Sequence, residues 1–119
     1  MSPDRRAKGR AGEDAACADL SRQGFEIVER NWRVREGEVD VIARRGDLLV
    51  FAEVKSRTGT AFGAPEESVT PAKARRLRSL AAQYLASGSA HGQVRFDVFA
   101  VMLDSESAVL ELRHIPDAF

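Results

Sequence analysis

Asp40, Glu53 and Lys55 are the residues of this chain whose types and spacing best suit chemistry. Glu53-Val54-Lys55 ends an apolar run, Leu48-Leu49-Val50-Phe51-Ala52, with the composition of a strand covered on both faces. Charged groups at the end of such a strand stand at the rim of a core. Side chains alternate along a strand, so Glu53 and Lys55 share one face, and the same rule groups Glu38 with Asp40. Val39, Val41, Ile42 and Ala43 form another β-prone run, and Arg44-Arg45-Gly46-Asp47 between the two has turn composition. A tight hairpin centred near Gly46 sets Asp40 opposite Ala52 or Glu53. Paired Cβ atoms lie about 4.5–5.5 Å apart, so the two acids can converge if they share a face. Their repulsion is relieved by a divalent cation, and oxygen-only ligands suit Mg²⁺ or Mn²⁺ better than zinc. The nearby ammonium can hold a water or stabilise charge developing on a phosphate. The plainer reading makes Asp40 and Glu53 rim acids that answer neighbouring arginines.

A longer string of residues carries a resemblance. Gly12-Glu13, Asn31-Trp32-Arg33, Gly37-Glu38-Val39-Asp40, Val50 through Arg57 and Val69-Thr70-Pro71-Ala72-Lys73 resemble the YraN family of small bacterial endonuclease-like proteins. That family is similar to the archaeal Holliday-junction resolvases. Asp40, Glu53 and Lys55 look like the D-x(n)-(D/E)-x-K signature of restriction-endonuclease-like nucleases, with Val39 where a proline is often written. The resemblance covers nearly the whole chain. It implies an α/β fold, the α-β-β-β-α-β restriction-endonuclease-like core with a mixed central sheet flanked by helices. It also implies Mg²⁺ (or Mn²⁺) held by Asp40, Glu53 and the Val54 carbonyl, with Lys55 orienting the attacking water. Glu38 is either a third ligand or a charge at the hairpin entry. The resolvases suggest a ligand or metal-positioning role for Glu13, whose other reading is a first-turn acid that favours the helix dipole or pairs with an arginine.

Composition bounds the rest. At 119 residues the chain suits one domain with its own core, 1–119, with the first eight or so residues flexible. Apolar residues make up 44% and charged residues 30%, an ordinary globular balance. No apolar run approaches the roughly 20 residues that span a bilayer, and no secretory h-region follows the basic start, so no membrane and a cytoplasmic location are expected. Cys17 lacks a disulfide partner and reads as a small buried hydrophobe. Net charge is formally zero, yet Arg5, Arg6, Lys8 and Arg10 crowd the start, and Lys73, Arg75, Arg76 and Arg78 form an acid-free cluster. Neither a Walker-type loop nor a G-x-G-x-x-G occurs, so no nucleotide cofactor is expected.

The supporting elements follow from periodicity. Arg10 to Gln23 reads as a helix ended by Gly24, with a stripe of Ala16, Cys17 and Leu20 that Glu13 extends. Phe25 to Val34 reads as a strand, irregular at Asn31, with Trp32 as packing rather than a base-stacking platform. Arg33 and Arg35 read as a phosphate approach or a solvated edge. Arg57 continues the strand past Lys55 toward phosphate. Residues 58–69 have loop composition and are placed to close over a substrate. Thr70-Pro71 starts a helix whose stripe is Leu77, Leu80, Ala81, Tyr84 and Leu85, ended by Gly88. Lys73 extends that stripe toward the sheet's rim, to meet a phosphate or to snorkel. Val94 to Leu103 and Val109 to Ile115 read as strands, with Asp97 outside the chemistry. The combined expectation is a metal-dependent DNA endonuclease, acting on branched or structured DNA and working as a homodimer. The alternatives are a noncatalytic nucleic-acid-binding module or a scaffold of the same fold.

Overall fold

Helix α1 (Arg5–Arg22) leads into a three-stranded antiparallel meander of β1 (Glu26–Val34), β2 (Gly37–Arg45) and β3 (Leu48–Thr58). Helix α2 (Pro71–Ala86) then crosses over to β4 (Gln93–Leu103), which pairs parallel to β3, and β5 (Val109–Ile115) returns antiparallel at the far edge. The computed structural model describes residues 5–58, 70–88 and 92–119. The sheet order is β1-β2-β3-β4-β5, a mixed five-stranded sheet with one parallel pair. This is the restriction-endonuclease-like α-β-β-β-α-β core with one further edge strand.

A layer packs on each face. Ala16, Cys17 and Leu20 of α1 meet Val41, Ala43, Val50, Ala52, Phe99 and Val101. Leu77, Leu80, Ala81 and Tyr84 of α2 meet Val39, Ile42, Leu49 and Phe51. β3 is therefore apolar on both sides because both sides are covered, as its composition indicates. Trp32 packs on the α2 side with its ring edge-to-face on Tyr84 at 5.4 Å, which bears out the packing reading. Cys17 is buried, as expected, and burial pushes its thiol upward.

Local signals held at most element ends. Thr70 caps α2, its side chain accepting from the Lys73 N–H at 3.1 Å, with Pro71 at the first helical position. The hairpin turns at Gly46 (φ 61), and Gly24 (φ 90) ends α1. Helix α1 begins at Arg5, five residues before its expected start. Asn31 adopts φ 53 inside β1, which accounts for the irregularity expected there. The expected loop over the site lies, apart from Thr58 at the end of β3, outside the described residues, as does His91.

Asp97 is fully buried and bonded on every side. It takes both prongs of Arg95 at 2.9 and 2.8 Å, faces His114 Nε2 at 2.7 Å and accepts from the Asp117 N–H at 3.0 Å. These bonds hold its carboxyl below the usual range although burial alone would raise it. Asp97 is the hub tying β4, β5 and the C-terminal segment together.

Candidate active site

The pairing of β2 with β3 runs from Arg45↔Leu48 to Val41↔Ala52 and stops there. One step further the same register sets Asp40 opposite Glu53, one of the two positions expected. Here the strands part and a side chain replaces the ladder: the Val54 N–H donates to Asp40 Oδ2 at 2.7 Å. In a strand the N–H and C=O of one residue face the same edge. The Val54 carbonyl therefore also faces the notch between β2 and β3, beside the Asp40 carboxylate. Simple alternation fails at this point, since Val39 and Ile42, three residues apart, both pack on the α2 side. The departure of β2 is what opens the rim.

A cavity of about 160 Å³ fills the notch on the α2 side, lined by Glu38, Asp40, Glu53, Lys73, Arg76 and Leu80 among others. Three carboxyl groups from the hairpin and two cations from the first turns of α2 thus face one space. Burial pushes the Asp40 carboxyl up to about 7; the Val54 N–H opposes this, and the charges of Glu13, Glu38 and Glu53 reinforce it. Lys55 is pulled down, first by burial and then by the adjacent Lys73 ammonium, against the opposing charge of Glu53. Lys55 does not itself line the cavity but touches Lys73, which does, and two neighbouring ammonium groups beside an acidic notch suit a ligand that brings anionic oxygen atoms.

Glu13 stands on the other layer. Its Oε1 accepts from the Asn31 side-chain amide at 3.0 Å and lies 3.7 Å from Arg30, whose firmer partner is Asp14 at 2.8 Å. Glu13 thus makes the arginine contact of its plainer reading, while its charge still reaches Asp40. It lines a second groove, shared with Arg33 and Glu38, which are joined by a 2.9 Å ion pair. Glu38 lines both spaces. Arg57 at the end of β3 and Arg35 between β1 and β2 are exposed, as are Arg75 and Arg78, none of which lines either space.

The donor set tests the expected metal. Asp40 has one oxygen on the Val54 N–H and a second left over, and Glu53 lines the same cavity with the Val54 carbonyl at the notch. These are hard oxygen donors, few in number, which fits an ion such as Mg²⁺ that keeps several waters. Among the described residues no group of three or more His, Cys, Asp or Glu could hold a metal ion together. The residues therefore fit a two-carboxylate site, without a third protein carboxylate in the arrangement seen.

Two positioning residues carry little signal in the sequence. A Cβ at Gly12 would collide with the Ser56 side chain, so glycine lets α1 lie directly on the end of β3 beside Glu53-Val54-Lys55. Asn31 earns its left-handed backbone by the bond that orients Glu13. Arg76, which the sequence marks only as one of a basic cluster, lines the acidic cavity.

Residues 12–101 match the description of an uncharacterised protein family, UPF0102. A UPF0102 protein of Rhodococcus opacus is 49% identical over 114 residues, covering 95% of this chain and 96% of its own length. One of Moorella thermoacetica is 47% identical over 120 residues and covers both chains completely. One of Beutenbergia cavernae is 53% identical over 97 residues, 81% of this chain and 82% of its own. Similarity of this extent makes the chain a member of the uncharacterised family UPF0102, which is the YraN family whose residues it resembles.

Proposed function

We propose that this protein is a divalent-metal-dependent nuclease that hydrolyses phosphodiester bonds in DNA, including branched or otherwise structured DNA. The observation that carries the reading is the notch at the parting of β2 and β3, where Asp40, Glu53 and the Val54 carbonyl face cations of α2 across one cavity. Asp40, Glu53 and the Val54 carbonyl would hold Mg²⁺ or Mn²⁺, which when bound supplies Lewis-acid polarisation of a phosphoryl oxygen. Lys73 and Arg76 bind the phosphate from the α2 side, and their charge offsets the negative charge that grows on it in the transition state. Lys55, one alternation step beyond Glu53, orients the attacking water. The water oxygen joins phosphorus as the bond to the departing oxygen breaks, and a proton passes to that oxygen. Symmetric cutting of two strands needs two such centres, so the working unit is a homodimer.

The test is incubation of the purified protein with Mg²⁺ or Mn²⁺ and a panel of linear, flapped and four-way-junction DNA, beside Glu53→Ala and Lys55→Ala. Cleavage by the wild type that both variants lose supports the enzyme. A second reading, a noncatalytic nucleic-acid-binding module, rests on the cations Lys73 and Arg76 that line the same cavity. Binding that survives both substitutions with no cleavage of any substrate would establish that module instead.

A further inference from the structure

The core-facing stripe of α1 changes character along its length. Ala16, Cys17 and Leu20 are buried on the sheet, but the preceding positions of the same stripe, at intervals of three and four, are Glu13, Arg10, Gly9 and Arg6. These four line a groove of about 470 Å³ completed by Asn31, Arg33 and Glu38 of the β1–β2 hairpin. The sheet-facing side of an amphipathic helix is ordinarily apolar. Two arginines there, both exposed and neither with an acidic partner among the described residues, are not accounted for by packing or pairing.

The acids in the groove are already engaged. Glu38 takes Arg33 at 2.9 Å, and Glu13 takes the Asn31 amide at 3.0 Å. Arg6 and Arg10 stand one turn apart, about 6 Å along the helix axis. Gly9 lies between them, and a Cβ built there meets nothing within 4 Å, so the groove floor is open at the point both arginines flank. Glu38 lines both this groove and the cavity of the candidate site, so the two spaces adjoin at that residue.

We propose that this groove on the α1 face, built on Arg6, Gly9 and Arg10, is a second binding site for the phosphodiester backbone of nucleic acid, continuing from the notch around the rim of the sheet. The inference rests on the nucleic-acid part of the function proposed above and is independent of whether cleavage occurs. Arg6 and Arg10 each meet a phosphate. Arg33, ion-paired with Glu38, completes the wall of the groove.

Binding of fluorescein-labelled duplex and single-stranded DNA, measured by anisotropy with Ca²⁺ across a salt series, tests it. The proteins are the wild type, Arg6→Ala with Arg10→Ala, Gly9→Glu, and a control pair, Arg22→Ala with Arg44→Ala, that removes the same charge from the hairpin end of the sheet. The Arg6/Arg10 pair is expected to bind about tenfold more weakly or worse, with a duplex salt slope smaller by about 2. Gly9→Glu, which adds an anion to the floor, is expected to weaken binding as strongly. Circular dichroism melting of each variant confirms that it is folded. Unchanged affinity in the Arg6/Arg10 pair, or an equal loss in the control pair, overturns the proposal and leaves the notch reading standing. A wild type that binds neither probe overturns both. Groove-dependent binding without cleavage of any substrate supports this site and removes the nuclease reading alone.

Discussion

Replacing Asp40 with asparagine isolates the electrostatic cost of the notch. The carboxyl sits at about 7 instead of its ordinary 3.8 because it is buried and has other carboxylates around it. A raised carboxyl means that the folded state binds the proton more tightly than the unfolded state. Its contribution to stability is full below about pH 4, falls as pH rises, and is gone above about pH 7. The shift amounts to about 4 kcal/mol of disfavour for the ionised form, an upper bound for a rim group that water partly reaches. Asparagine keeps an oxygen for the Val54 N–H and carries no charge at any pH. In EDTA at pH 8, Asp40→Asn should therefore be more stable than the wild type by about 2–4 kcal/mol in urea unfolding, and the two should converge toward pH 4. Saturating Mg²⁺ should stabilise the wild type alone, by about 2.7 kcal/mol at a hundredfold excess over its dissociation constant. An Asp40→Asn variant less stable than the wild type at pH 8 in EDTA would refute this account, because the carboxylate would then be a favoured species in the empty fold.

Other expectations follow from neighbouring contacts. Gly12→Val should cost about 2–3 kcal/mol in chemical denaturation, since its side chain meets Ser56, and Ser56→Gly should recover part of that loss in a double-mutant cycle. Asp97→Ala leaves Arg95, His114 and the Asp117 N–H without their shared acceptor and should destabilise by about 3–5 kcal/mol. Lys73→Gln removes the ammonium beside Lys55, so the Lys55 titration followed by NMR should move upward; no movement would mean that burial alone lowers it.

The local code of this chain was legible because each signal needs only near neighbours. The capped start at Thr70-Pro71, the stop at Gly88, the stripe of Leu77, Leu80, Ala81 and Tyr84, and the Gly46 turn depend on backbone preferences and periodicity within a few residues. The turn in turn set the hairpin register, and through it the approach of Asp40 to Glu53. Residue types alone also named an oxygen donor set. Where β2 leaves β3 could not be read this way, since the parting at Asp40 is decided by how Val39 and Ile42 pack under α2. The placement of Arg76 in the cavity, the bond from Asn31 to Glu13 and the seating of Gly12 on Ser56 likewise depend on helix rotation and layer spacing. Those are properties of three packed layers, and no stretch of sequence carries them because each is the outcome of contacts between residues far apart in the chain.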